Sequence, residues 1–437
     1  MLATPILSTT TAQDKSTAHP LLAWSVTLAA SLFFFYEFIQ MNLFNAINAD
    51  LRGAFNLNAE QIGQFFSMYF YANALFLFLA GNLLDRFSSR KILLSAVAIC
   101  TFGTFLFAIS TVYWLAAAGR FLEGAGASFC FLSCIRIASR WFPPARMAFV
   151  TGVVVTMAML GGLVAQTPFV WLIHLLGSWR DGLFVNTGIG IIILIIAALI
   201  VRDRPPGTAE AAAHDASQLN QLGLWRCMKM AAFNPQNWYG GLYTALINLP
   251  VFVLGGLWGM LYLQQVHHLS ISQASYATTL FFVGVIFGAP AFGLLSDKME
   301  RRVFPMLIGA ILSLIVVLLL MYLPNLSPAA IMGLFFLMGF VTSSQVLTYP
   351  TIAELNPIYL TSTAVSIDSL CIMVSGFAIP PFFGWLMQHT GAQTMVGNVA
   401  VYSTASFNYA MLIIPISFVI GLLITFLMKE TRCRSQA

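Results

Sequence analysis

Four ionisable side chains sit where their surroundings leave least room for charge. Glu37 lies inside SLFFFYEFIQMNLFN (Ser31 to Asn45), Arg120 and Glu123 lie inside GRFLEGAGAS, and Asp368 lies inside the apolar run Thr361–Met387. A charge at the centre of a membrane helix costs about 2.5 to 3.5 kcal/mol on insertion scales, so such groups face a partner or a water-filled cavity. Arg120 and Glu123 are three residues apart and can meet on one helix face. Two readings of the pair stay open. It is either self-neutralising, making its helix insertable, or a switch in which Arg120 alternates between Glu123 and Glu37 or a substrate carboxylate. Glu37 shares a stripe about 60° wide with Gln40, Phe44 and Asn48, with Asn45 at its margin. The acid is then either a protonated structural group or, as the polar stripe favours, a contact for substrate or proton. Asp368 has no cation on its own helix. Packing against a neighbour's hydroxyl or backbone and proton coupling are equally open for it.

These residues need long apolar elements to hold them. Charged residues are 8% of the 437-residue chain and hydrophobic residues 59%, against about 25% charged in a soluble domain. That composition excludes a soluble globular protein and predicts an all-α membrane protein. Twelve apolar runs approach the length of about 20 residues that spans a bilayer: Leu21–Ala46, Glu60–Leu83, Lys91–Ser110, Thr111–Ala138, Ala145–Leu172, Gly182–Val201, Trp238–Gln265, Gln273–Ser296, Val303–Tyr322, Pro328–Ile352, Thr361–Met387 and Ser406–Met428. The expected organisation is a tail (1–20), a six-helix bundle (21–201), a linker (202–237), a second six-helix bundle (238–428) and a tail (429–437).

All Lys and Arg except Arg52, Arg120 and Arg180 fall on one side of this arrangement. Basic residues stay in the cytoplasm, so both termini are expected there. The net charge of +5 is this bias and calls for no nucleic acid. The polar N-terminal twenty residues do not resemble a cleavable signal peptide. The six cysteines lie within predicted helices or on the cytoplasmic side, where disulfides are rare, and Cys130 with Cys134 lacks the further ligands of a metal site. No metal and no cofactor is expected. The common zinc, serine and nucleotide motifs are absent, which argues against an enzyme.

The chain also repeats itself. GNLLDRFSSRK at Gly81 recurs as GLLSDKMERR at Gly293, each with an Asp four residues on (Asp85, Asp297) and a basic cluster beyond. TPFVWLIHLLG around Pro168 recurs as PPFFGWLMQHTG around Pro381 at nearly the same offset. Such repeats in membranes form pseudo-symmetric halves that rock about a midplane site. The first segment resembles the signature loop of the major facilitator superfamily, G-x-x-x-D-R-x-G-R-R/K, through Gly81, Asp85, Arg86, Arg90 and Lys91, with Ser88 where the family has Gly. GRFLEGAGAS is similar to a second family motif through Arg120, Gly124 and Gly126, and FFFYEFIQMN with FSMYFYANALFLFLAGNLLDRF resembles the proteobacterial phagosomal nutrient-transporter branch.

The resemblance implies twelve helices in two bundles with spans 1, 4, 7 and 10 around a central cavity. Asp85, Arg86 and Arg90 would then form a cytoplasmic gate, with Gly293 and Asp297 as the repeat. Tyr243, Asn248 and Trp258 on span 7, which breaks at Asn248-Leu249-Pro250, and Ser343, Ser344, Gln345 and Tyr349 on span 10 become substrate-cavity candidates beside Gln40 and Asn45; helix packing is the alternative for the aromatics. His267 and His268 at the outer end of span 7 are either solvated or pH-sensing. Gly161-Gly162 and Gly255-Gly256 permit close packing or bending. The implied activity is import of a small polar nutrient (amino acid, nucleoside or similar) by proton symport, the protein acting as a monomer in the lipid bilayer of a bacterial cytoplasmic (inner) membrane. Proton-coupled efflux of a drug or metabolite, and siderophore-related transport, are the alternatives.

Overall fold

The computed structural model describes residues 20–142, 146–205, 224–357, 361–390, 393–396 and 399–434. Ten of the described helical stretches are long and apolar enough to cross a membrane, and a bent pair in span 5 makes eleven. The 28-residue helix Ala59–Arg86, packed against Thr361–His389, completes the twelve.

Span 1 runs Pro20–Asn42 and continues past Leu43 as Phe44–Phe55, two turns beyond the apolar run. Arg52, expected in an outer loop, is thereby carried into the fold and fully buried. Span 2 is Ala59–Arg86, opened by a capping box at Asn58 and Gln61. Span 3 is Ser89–Ile109, span 4 is Tyr113–Ala127 with Cys130–Trp141, and span 6 is Trp179–Ile200. Span 5 breaks at Gln166 into Met147–Val164 and Thr167–Leu176, bent by 40°, because Pro168 has no N–H for the ladder. A short helix, Leu224–Phe233, precedes span 7.

Span 7 starts as Pro235–Ile247, widens after Pro250 into a π-helical turn, Val251–Leu257, and resumes as Gly259–Gln265. Spans 8 and 9 are Ile271–Met299 and Val303–Tyr322. Span 10 tightens from Pro328–Thr342 into a 3₁₀ turn, Ser343–Leu347, before Thr348–Glu354. Span 11 is Thr361–His389 and span 12 is Thr404–Met411 with Ile413–Thr425. Between them an antiparallel ribbon, β1 (Gln393–Val396) with β2 (Val399–Tyr402), is an addition to the expected all-helical pattern.

The duplication read from sequence has a packing counterpart. Span 1 packs on 5 and 6, span 2 on 4, and span 3 on 4 and 6; the same pairs recur as 7 on 11 and 12, 8 on 10, and 9 on 10 and 12. The halves meet where span 2 lies on 11 and span 5 on 8, contacts that exchange under the same two-fold. Spans 3, 6, 9 and 12 carry exposed Phe102, Ile192, Ile315 and Leu423, an apolar belt suited to lipid.

Close approach depends on missing side chains. A Cβ at Gly161 would collide with the Phe35 carbonyl oxygen, whereas at Gly152, on the same helix, it would meet nothing within 4 Å. Gly161→Ala should therefore lower the thermal stability of the purified protein by about 1 to 3 kcal/mol, the cost of overpacking, while Gly152→Ala leaves it unchanged or raises it. Equal melting temperatures for the two variants would refute the close packing of spans 1 and 5.

Candidate functional site

Spans 1, 2 and 4 bring the first three acids and bases together. Arg120 and Glu123 are fully buried and paired, Nη1 to Oε2 at 2.6 Å, and the same Nη1 donates to the Gln40 carbonyl at 2.9 Å. The guanidinium carbon lies 4.4 Å from the Phe44 ring centre and 5.1 Å from that of Tyr69. Such faces favour a desolvated cation. Glu37 does not take Arg120 as its partner; the Tyr69 hydroxyl donates to its Oε1. Glu123 also meets Thr104, which accepts from the Tyr36 hydroxyl at 3.1 Å. Several polar atoms here have no hydrogen-bond partner among the described residues: Arg120 Nε and Nη2, Glu37 Oε2, Glu123 Oε1 and both amide atoms of Gln40.

The other half holds Asp368. Thr244 Oγ1 lies 2.8 Å from its Oδ1, and Thr348 and Tyr349 also reach the carboxyl. Gln345 Nε2 donates to Asn248 Oδ1 at 2.8 Å, joining the breaks of spans 10 and 7. Tyr243 is committed to packing: its hydroxyl donates to the Met306 carbonyl at 2.7 Å and lies 3.1 Å from Ser344 Oγ.

The face bearing the chain ends and the face opposite are bonded differently. On the opposite, distal side, Asn45 Nδ2 donates to the Leu254 carbonyl and to Gln166 Oε1, both at 3.0 Å, and Asn45 Oδ1 accepts from Met260 N at 2.9 Å. Gln166 Nε2 donates to the Gly255 carbonyl at 3.0 Å and Asn48 Nδ2 to the Leu257 carbonyl at 2.8 Å. These amides of the first half thus receive the carbonyls that the π turn of span 7 frees. Tyr402 of β2 accepts from Ala59 N at 2.9 Å, and the Arg52 guanidinium carbon lies 5.1 Å from its ring centre. His267, just past span 7, has its imidazole pushed below the ordinary value by burial and then by His268; its Nε2 lies 3.2 Å from the Tyr262 hydroxyl.

On the face of the chain ends, each half closes on itself. Asp203, past span 6, accepts from Arg90 N at 2.9 Å and from the Ser88 hydroxyl, and pairs with Arg140 at 3.3 Å. Glu430, past span 12, accepts from Arg302 N at 2.7 Å and Val303 N at 3.0 Å, while Arg302 pairs with Asp297 at 2.7 Å and Glu354 at 2.8 Å. Each carboxylate caps the helix that follows a signature loop, where the macrodipole favours an anion. Ser88 has φ −59°, so its position needs no glycine, and its hydroxyl caps span 3 at Lys91 N. Arg90 Nη2 donates to the Ala198 carbonyl at 2.6 Å. The side chains of Asp85 and Arg86, like Gly81, lie outside the described residues, and a Cβ at Gly293 would meet nothing within 4 Å.

Tyr69, Gln166, Thr244 and Thr348 escape the sequence reading. Gln166 had a signal, an amide before Pro168 in an apolar run; the other three are ordinary helix residues until a neighbouring span supplies their partner.

Known proteins agree with this architecture. A profile described as the Major Facilitator Superfamily matches residues 28–270 and 241–436. A probable sulfoacetate transporter of Cupriavidus necator is 24% identical over 358 residues, which are 78% of this chain and 82% of that one. The hexuronate transporter of Bacillus subtilis is 24% identical over 56% of this chain and 58% of its own. Among solved structures, a bacterial homolog of the human lysosomal transporter Spinster superposes with TM-score 0.74 at 17% identity, covering 94% of this chain and 97% of that one. A D-xylose–proton symporter gives 0.70 at 13% identity over 94% and 99%. One profile met in each half, on a chain whose helix packing repeats about a two-fold, makes this protein a member of the major facilitator superfamily of membrane transporters.

Proposed function

We propose that this transporter imports a small polar solute bearing an acidic group, a carboxylate or sulfonate, together with protons across the bacterial cytoplasmic membrane, as a monomer with both termini inside. The observation that carries the reading is Arg120: fully buried, held on one nitrogen by Glu123 and Gln40, and left with Nε and Nη2 unpartnered among the described residues. A guanidinium edge with two open N–H groups is the geometry that receives a planar anion. The free Gln40 amide and Glu37 Oε2 supply a donor, an acceptor and a protonatable group near the same arginine. The names of the sulfoacetate and hexuronate transporters are consistent with an acidic substrate. The sign of coupling follows from charge: an anion entering beside Glu37 is favoured when Glu37 carries a proton.

Alternating access then uses the distal latch. With Asn45, Asn48 and Gln166 bonded to span 7, the distal side is closed; outward opening must part those bonds.

Two experiments test this reading. In proteoliposomes given radiolabelled sulfoacetate or hexuronate and an inward proton gradient, the wild type should accumulate label and lose it with uncoupler. Glu37→Gln should abolish accumulation but spare counterflow, and Arg120→Gln should weaken binding of either anion by about tenfold or more, the worth of a charged hydrogen bond. Normal accumulation by Glu37→Gln, or gradient-driven expulsion by the wild type, would sink the import reading.

The second concerns the latch. Asn45→Leu removes two hydrogen bonds between the halves, each worth about 0.6 kcal/mol inside a membrane, so the distal-closed population should fall about eightfold relative to the open one. Spin labels on the distal loops 110–112 and 323–327 would show longer distances in Asn45→Leu; an unchanged distribution would mean the latch does not hold the halves.

A further inference from the structure

The buried acid of the second half has a proton-counting problem that its geometry solves. Three short oxygen–oxygen contacts run in series from span 11 through span 7 to span 10. Asp368 Oδ1 to Thr244 Oγ1 is 2.8 Å, Thr244 Oγ1 to Thr348 Oγ1 is 2.6 Å, and Thr348 Oγ1 to the Gln345 carbonyl is 2.7 Å. Each distance is that of an O–H···O hydrogen bond, so each contact needs its own hydrogen. A hydroxyl brings one hydrogen and a carbonyl none. With Asp368 ionised, two threonine hydrogens must serve three contacts, and one pair of oxygens is left facing lone pair to lone pair. With Asp368 protonated each contact of this series has a hydrogen in one direction: the carboxyl donates to Thr244, Thr244 to Thr348, and Thr348 to the Gln345 carbonyl. The further approaches, of Thr348 and Tyr349 to the carboxyl and of Thr244 Oγ1 to the Gly240 carbonyl at 3.2 Å, lie outside the series.

The surroundings agree. The carboxyl is fully buried and makes no ion pair among the described residues. An ionised carboxylate so placed is costly. The titratable groups facing it are Tyr349 from span 10 and Cys371 from its own span. From span 7 it meets Thr244, and the neighbouring Tyr243 turns to Met306 and Ser344. No cation approaches from span 2 or from the helix Leu224–Phe233 among the described side chains. A sodium ion fits poorly: around a hard cation with oxygens at about 2.4 Å, neighbouring ligands stand well over 3 Å apart, whereas these oxygens touch at hydrogen-bonding distance.

We propose that Asp368 is a second proton-binding site, separate from the Glu37 and Arg120 cluster, whose bound proton completes a hydrogen-bonded chain tying span 11 to the broken middles of spans 7 and 10. The chain ends at Gln345, whose side chain bonds Asn248 at the break of span 7. Losing the proton leaves one link without a hydrogen and loosens both breaks together. The proton therefore favours the distal-closed arrangement, and alkaline pH works against it.

The test needs no substrate and does not depend on the import reading. Infrared difference spectra of the full-length protein in lipid vesicles, neutral minus alkaline, report the carbonyl stretch of a protonated carboxylic acid. Glu37→Gln should retain such a band, and adding Asp368→Asn in that background should remove it. In the Glu37→Gln background, Thr348→Val should shift the band, because Thr244 loses the acceptor that polarises it. That shift decides the matter should Asp368→Asn fail to fold. A Glu37→Gln spectrum with no protonated-acid band, a band that survives in the Glu37→Gln/Asp368→Asn double variant, or a band indifferent to Thr348→Val would each overturn the proposal.

Discussion

A helix that changes its winding inside a membrane leaves backbone carbonyls that water cannot reach, and the arrangement of this protein follows from where those carbonyls find donors. After Pro250 span 7 widens into a π turn that ends at Trp258, and the carbonyls of Leu254, Gly255 and Leu257 near that end are offered to the other half. Asn45, Asn48 and Gln166 of the other half supply the N–H groups. The halves are therefore joined on the distal side by bonds that each would otherwise lack. Such a seam is directional: only amides at that depth satisfy it, so a slip of one turn strands the carbonyls. It is also breakable, because water entering from the distal side can replace each amide.

The two halves share a packing plan and diverge in how they hold polarity. Caps at Asp203 and Glu430 end each half in the same manner, a carboxylate folded back on the helix after the signature loop. Inside, the first half buries a full charge pair with aromatic faces around it, and the second buries one acid among hydroxyls. A duplicated scaffold thus keeps its ends, which set helix positions, while its centres carry different chemistry.

Much of this was open to reading from sequence, and the limits have physical causes. Apolar length gives the spans directly, and Pro168 and Pro250 mark true breaks. Arg52 misleads because NADLRG is polar enough to read as a loop; its helix is held by the distal ribbon, whose Tyr402 ring covers the guanidinium, and the chain supplies that ring 350 residues later. Ser88 reads as a loss against the family pattern, but its backbone is one any residue adopts and its hydroxyl is a cap. Glu37 was found because a carboxylate in an apolar run is conspicuous. Its partner Tyr69 was not, because in a span holding several aromatics only the facing of two helices selects one.

The proposed anion site rests on the energetics of the Arg120–Glu123 pair. A buried ion pair roughly breaks even against apolar residues of the same volume, since desolvation offsets the attraction. Leucines at both positions would serve packing equally. What leucines cannot provide is a guanidinium that is anchored by one nitrogen, stacked by Phe44 and Tyr69, and still has two N–H directions unspent. Anchoring removes the entropy that binding would otherwise cost, and the unspent directions are unfavourable until an anion meets them. On the proposed reading, the same desolvation that makes the pair poor cement makes it a strong anion site, because a bound anion recovers energy that the pair alone forgoes.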